Sequence, residues 1–187
     1  MHSPDWFRQS VEYEVKAKML RIYQAQLIPV PLQTEDYARA GLSMARVNDV
    51  EKALMSRMAR QELIIGREDT PLIMVLLDQD ALDRPVGGPH IMKAQLQRLL
   101  ELGERPEISI RVIARSVGFH LGLNGPFQVM TLERRDVAYT SAFHGGRLVQ
   151  DSTEVREIAI DFELIGAKAS SEGDSRALIE EIMKEFA

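Results

Sequence analysis

Tyr37, His120, Gln128 and Tyr139 are the side chains of this sequence best suited to chemistry at a carbonyl. Each can donate a hydrogen bond to an oxygen on which charge develops, which is how a protein polarises such a group. His120 could also work as a general base, and Ser116, His120 and Asp78 have the residue types of a nucleophilic triad. No G-x-S-x-G elbow surrounds a serine, so the spacing gives the triad no support. Asp78 and Asp80 could act as paired carboxylates. The plainer reading is that they cap the turn after them, with Arg84 and Arg39 as ionic partners. His2, His90, His120 and His144 never fall at an HxxxH spacing, so no metal site is expected. The glycines at 87, 88, 118, 122 and 125 form neither a G-x-G-x-x-G nor a Walker loop, and no cofactor is expected.

Tyr37, Phe127, Met130, Tyr139 and Phe143 could together line an apolar pocket for a small molecule, or simply fill a core. Phe127 and Tyr139 fall on neighbouring predicted strands, where hairpin pairing could bring them to one face.

Composition narrows the partners. A net charge of −5 without a basic stripe argues against direct nucleic-acid binding by this chain. No apolar run approaches the roughly 20 residues of a membrane helix. The first residues, MHSPDWFRQS, lack the basic and apolar regions of a signal peptide. Cysteine is absent, which removes disulfides and a thiol nucleophile and fits a cytoplasmic protein.

The elements that must position these residues follow from periodicity. Residues 4–27 read as a helix, with Phe7, Val11, Val15, Met19, Ile22 and Tyr23 on one stripe and Glu12, Glu14, Lys16 and Lys18 off it. If exposed, that stripe could join two copies into a homodimer. Thr34 should cap a second helix, and Asn48 with Glu51 a third over 48–66. LIMVLL at 72–77 reads as a central strand buried on both faces. A helix over 90–102 follows, then an alternating strand at 107–115 and a hairpin of 126–132 with 137–143. Two helices, about 151–169 and 174–186, close the chain. The expectation is one α+β domain over residues 1–187: helical over 4–66, sheet-containing over 70–143 and helical over 151–186. Its sheet should have about four strands, largely antiparallel with a mixed arrangement open, covered by the N- and C-terminal helices.

Several short runs carry a resemblance: LQTEDYARA at 32–40, LDQDALDRPVGG at 77–88, MKAQLQRLLEL at 92–102, GFHLGLNGPF at 118–127, GGRLV at 145–149 and SRALI at 175–179. In this order they resemble the C-terminal domain of unknown function of antitoxin-like, XRE-type helix-turn-helix regulators of actinobacteria. The resemblance implies a regulatory domain that senses a small molecule or a partner protein, and it carries over no catalytic residue. The helix-turn-helix is missing here, with Trp6 following closely on Met1, so the expectation is a stand-alone relative or a trimmed regulator. The alternative is a cofactor-free cyclase or isomerase that holds an apolar, polyketide-like substrate in its reactive conformation.

Overall fold

The computed structural model describes residues 5–45, 47–142 and 145–186. The chain runs α1 (Asp5–Lys16), β1 (Met19–Gln24), α2 (Glu35–Met44), α3 (Val50–Ile65), β2 (Leu72–Asp78), a one-turn α4 (Asp80–Asp83) and α5 (Pro89–Leu102). It continues with β3 (Ile108–Ile113), β4 (Phe127–Thr131), β5 (Asp136–Ala142), β6 (Gly145–Val149), α6 (Ser152–Gly166) and α7 (Glu172–Glu185).

The strands form one open sheet in the order β3-β2-β1-β4-β5-β6. β3, β2 and β1 are parallel, β1 pairs antiparallel with β4, and β4, β5 and β6 form an antiparallel meander. The class is α+β, but the sheet has six strands and is mixed, which corrects the expectation of about four largely antiparallel ones. The difference lies in β1 and β6. β1 was taken into a long helix because Met19, Ile22 and Tyr23 continue the three- and four-residue spacing of α1. The six residues do not alternate cleanly between apolar and polar, and pairing on both edges, to β2 and β4, decides for the strand. The stripe from Phe7 to Tyr23 is therefore not one helix face: α1 holds Phe7, Val11 and Val15 and ends before Met19. β6 begins with two glycines, which weaken any strand signal.

The placement of residues 72–77 holds. β2 lies between β1 and β3, and Ile73, Val75 and Leu77 point into the main core while Leu76 is buried on the other face. The two faces are covered unequally. On the first, Leu20, Ile22, Ile73, Val75, Leu77, Ile110, Val112, Met130 and Val137 pack against residues of α3, α5 and α7. On the second, α6 is the one helix of the described residues that docks: Phe162 and Ile165 against Tyr23, Leu76 and Ile113, and Val155 against Val129, Ala138 and Val149.

The connections after β1 are fixed by side chains that satisfy backbone groups. The Gln33 carboxamide donates to the Ile28 carbonyl at 2.7 Å and accepts from Arg57 at 3.0 Å. Gln95, fully buried on α5, donates to the Leu32 carbonyl at 2.8 Å and accepts from the Thr34 N–H at 2.7 Å. Thr34 caps α2 as expected, whereas α3 is capped by Asp49 and not by its neighbour Asn48.

Candidate functional site

A cleft of about 210 Å³ lies on the first face of the sheet, where α1, α3 and the Pro29–Pro31 turn meet β1, β4 and β5. α1 contributes Phe7, Ser10 and Glu14, and α3 contributes Arg60. The floor is Ile22 and Gln24 of β1, Gln128 of β4, and Tyr139 and Ser141 of β5. Register explains the floor: Ile22 pairs with Gln128, and Gln128 with Tyr139, so the three stand in a row on one face.

The charged pair in the wall is the main electrostatic feature. Glu14 is buried, and its Oε2 accepts from the Arg60 Nε. A buried carboxylate without a partner costs several kcal/mol, so Arg60 must stay with it. The Arg60 guanidinium also lies 6.0 Å from the centre of the Phe7 ring, a cation–π distance that fixes its position from a second side. Behind it, burial first and then the charge of Arg60 lower the pKa of Arg57 below the usual guanidinium range. Burial raises the pKa of Tyr139, with a smaller opposing contribution from its hydrogen bond with Ser141, so its hydroxyl is a donor across the physiological range. The cleft thus offers donors and acceptors without net charge, beside Phe7, Ile22 and the proline rings.

The structure separates the residues singled out above. Gln128 and Tyr139 reach the cleft. Phe127 borders it from the strand end, but it pairs with Thr140 and not Tyr139, so its ring points to the other face, 5.8 Å from the ring of Tyr23. The expectation that Phe127 and Tyr139 share a face is therefore wrong by one residue of register. Tyr37 is a buried core residue whose hydroxyl accepts from the Ile28 N–H at 3.2 Å, and Met130 is fully buried beneath the helices. Phe143 and His144 lie outside the described residues. His120 sits on the second face, with Nε2 3.0 Å from Asp78 Oδ2, and no hydrogen bond joins it to Ser116. Glu14, Arg60, Ser10 and Gln24 were missed. Glu14 reads as an ordinary off-stripe charge, and nothing local signals that Arg60, 46 residues away, closes over it.

Residues 7–181 match a family described as a domain of unknown function, DUF5753. The chain belongs to the DUF5753 family. No curated protein matches it. Most of the runs that carry the sequence resemblance have structural work in this DUF5753 chain. Gln33, Thr34 and Gln95 lock the segment after β1. Asp78 caps the following turn by accepting from the Asp80 N–H at 3.1 Å, as expected. The ionic partner of Asp80 is Arg115 at 2.6 Å, which also reaches Asp83 at 2.7 Å, and neither Arg84 nor Arg39 takes that place. Arg39 pairs instead with Glu35 and Glu51. Ser175 accepts from the Val112 N–H at 2.9 Å and ties α7 to β3.

Proposed function

We propose that this DUF5753 chain is a regulatory domain that senses a small molecule in the cleft between α1, α3 and the sheet. The context it would serve is that of the sequence resemblance, control of an XRE-type helix-turn-helix unit in an actinobacterial regulator. The observation that carries the reading is the convergence of Ser10, Gln24, Gln128 and Tyr139 beside the buried Glu14–Arg60 pair on a partly open cleft. A few placed polar groups among apolar walls are what orient a ligand. The volume of about 210 Å³ is below the ~300–1,000 Å³ of drug-sized sites, which favours a small, uncharged ligand with both polar and apolar parts. Such a ligand would touch α1, α3 and three strands at once. Binding would favour the arrangement with α1 docked and so bias whatever contacts that helix.

The cyclase reading draws no matching support, because an apolar polyketide-like substrate calls for an enclosed, weakly polar chamber, and this cleft is open with several polar groups in its walls. The test is a fragment titration. Benzamide, phenol and indole are added to isotopically labelled protein, and backbone amide shifts are followed. The expected result is a saturable set of shifts at residues 7–14, 22–31, 60 and 128–141, reduced by Gln128→Leu and Tyr139→Phe. Shifts that stay absent at millimolar fragment, or that gather on another surface, would sink the proposal.

A further inference from the structure

On the second face of the sheet, Tyr23, Asp78 and His120 form a cluster that the cleft does not use. Tyr23 is the last but one residue of β1 and Asp78 the last of β2, so both stand at the carboxyl ends of parallel strands, where open α/β sheets place their ligands. Asp78 Oδ1 is occupied by the Asp80 N–H, and Oδ2 faces His120 Nε2 at 3.0 Å. A carboxylate only accepts, so the proton shared with Asp78 sits on His120 Nε2, and in the singly protonated ring Nδ1 then presents a lone pair. That Nδ1 is buried and has no hydrogen-bond partner among the described residues. The same is true of the Tyr23 hydroxyl, on a side chain wholly removed from solvent. Burial, and then the charge of Asp78, push the pKa of Tyr23 well above the ordinary tyrosine value, which keeps it a donor. The His120 ring meets the Tyr23 ring edge-on, with centroids 6.2 Å apart.

Two buried polar atoms are thus unpartnered among the described residues, on side chains whose rings meet edge-on: the Tyr23 hydroxyl has a proton to give and the singly protonated His120 ring a lone pair. Each orphan costs folding free energy, and such groups call for a role. A hydroxyl is the smallest group that answers both, accepting from Tyr23 and donating to His120. What closes the cluster is the 118–125 loop. Its Gly122 lies so near the Tyr23 ring that a Cβ there would come within 2.3 Å of it. The loop ends in Gly118 at φ 70° and Gly125 at φ 135°, and it turns Phe119 (83% exposed) and Leu123 out to solvent. Beside it lies a second cavity of about 180 Å³, whose lining includes the apolar Leu121, Phe127, Ile158 and Ile165 and the polar Asn124 and Asp161. Phe127 and Ile165 also pack in the cluster that contains Tyr23.

We propose that Tyr23, Asp78 and His120 form a second binding site, for the hydroxyl of a small apolar alcohol whose body lies in the Leu121–Ile165 cavity. Gly122 is its cover and has to move off Tyr23 for the hydroxyl to enter, while His120, earlier in the same loop, stays on Asp78. The site is separate from the cleft and lies on the opposite face, so either can fail without the other.

The test uses benzyl alcohol as the probe and toluene as its counterpart without a hydroxyl, with the full chain carrying 15N-labelled histidine. His120→Asn assigns the His120 signals. The expected result is an Nε2–H tautomer in the free protein and a saturable shift of the Nδ1 signal with benzyl alcohol. Toluene should leave that signal in place. Tyr23→Phe, which keeps the ring and removes the donor, should weaken benzyl alcohol binding roughly fivefold, the equivalent of one ordinary hydrogen bond. The proposal is overturned by an Nδ1–H tautomer, by equal shifts with toluene, or by a bound water on Nδ1 that tens of millimolar benzyl alcohol does not displace.

Discussion

At the scale of single residues, the cleft depends on one charge pair. Glu14 is 1% exposed and Arg60 covers it, so removing the arginine leaves a largely buried carboxylate without its counter-charge. Arg60→Met should therefore destabilise the fold by about 3–5 kcal/mol, as when one member of a buried pair is lost. Glu14→Gln combined with Arg60→Met removes both charges and should recover most of that loss. Urea unfolding of the wild type, the single variant and the double variant reads this directly. A cost below about 1 kcal/mol for Arg60→Met would mean that water reaches Glu14 and that the pair does not wall the cleft. At this scale the sequence was legible where the interaction is local. Thr34 before Glu35 and Asp36 announced its cap, and Asp78 its turn. It was silent where partners come from distant segments, as with Glu14 and Arg60, because spacing along the chain carries no information about such contacts; Asp78 and His120 were paired only by residue type.

At the scale of elements, the junction of α1 and β1 is where the sequence misleads and where the structure is specially braced. One periodic run has to break into a helix and a strand within three residues, leaving the carbonyls at the helix end without partners. Arg67, beyond α3, supplies them: Nη1 donates to the Val15 carbonyl at 2.5 Å and Nη2 to the Ala17 carbonyl at 3.0 Å. The Lys18 N–H donates to the Thr131 carbonyl at 2.8 Å, and the Lys18 carbonyl accepts from the Leu72 N–H at 3.1 Å, so the strand registers begin at once. Arg67→Ala should cost about 1–3 kcal/mol, the penalty for unsatisfied, partly buried carbonyls, and faster amide exchange should be concentrated in α1. A uniform change in exchange across the sheet would instead assign Arg67 to general surface charge. Elements whose apolar pattern is unambiguous, such as β2 with its continuous run and β3 with its clean alternation, were legible. β1 was not, because its apolar pairs continue the helical spacing of α1 and only the strands on either side decide against it.

At the scale of the whole molecule, the sheet joins a parallel half and an antiparallel half along β1 and β4. The first face is heavily covered by helices, yet α1 is attached mostly by polar contacts at its rim: Glu14 with Arg60, Tyr13 with Gln150 and Arg135, and the Arg67 clamp. Such an element opens at lower free energy than the sheet beneath it. Its opening also dismantles the cleft, since Phe7, Ser10 and Glu14 are part of the wall. A cleft ligand therefore opposes every motion that undocks α1. At a free concentration of 100 times its Kd, it should slow exchange from α1 about a hundredfold, equivalent to ~2.7 kcal/mol, and slow the globally exchanging amides of β2 by the same factor. The 118–125 loop lies on the opposite side of the sheet and can open while the cleft stays intact, so its amides should exchange at an unchanged rate. Amide exchange with and without a fragment bound in the cleft separates these classes. If α1 exchanges equally fast in both, the helix leaves without disturbing the ligand, and it cannot be the element through which the cleft reports occupancy.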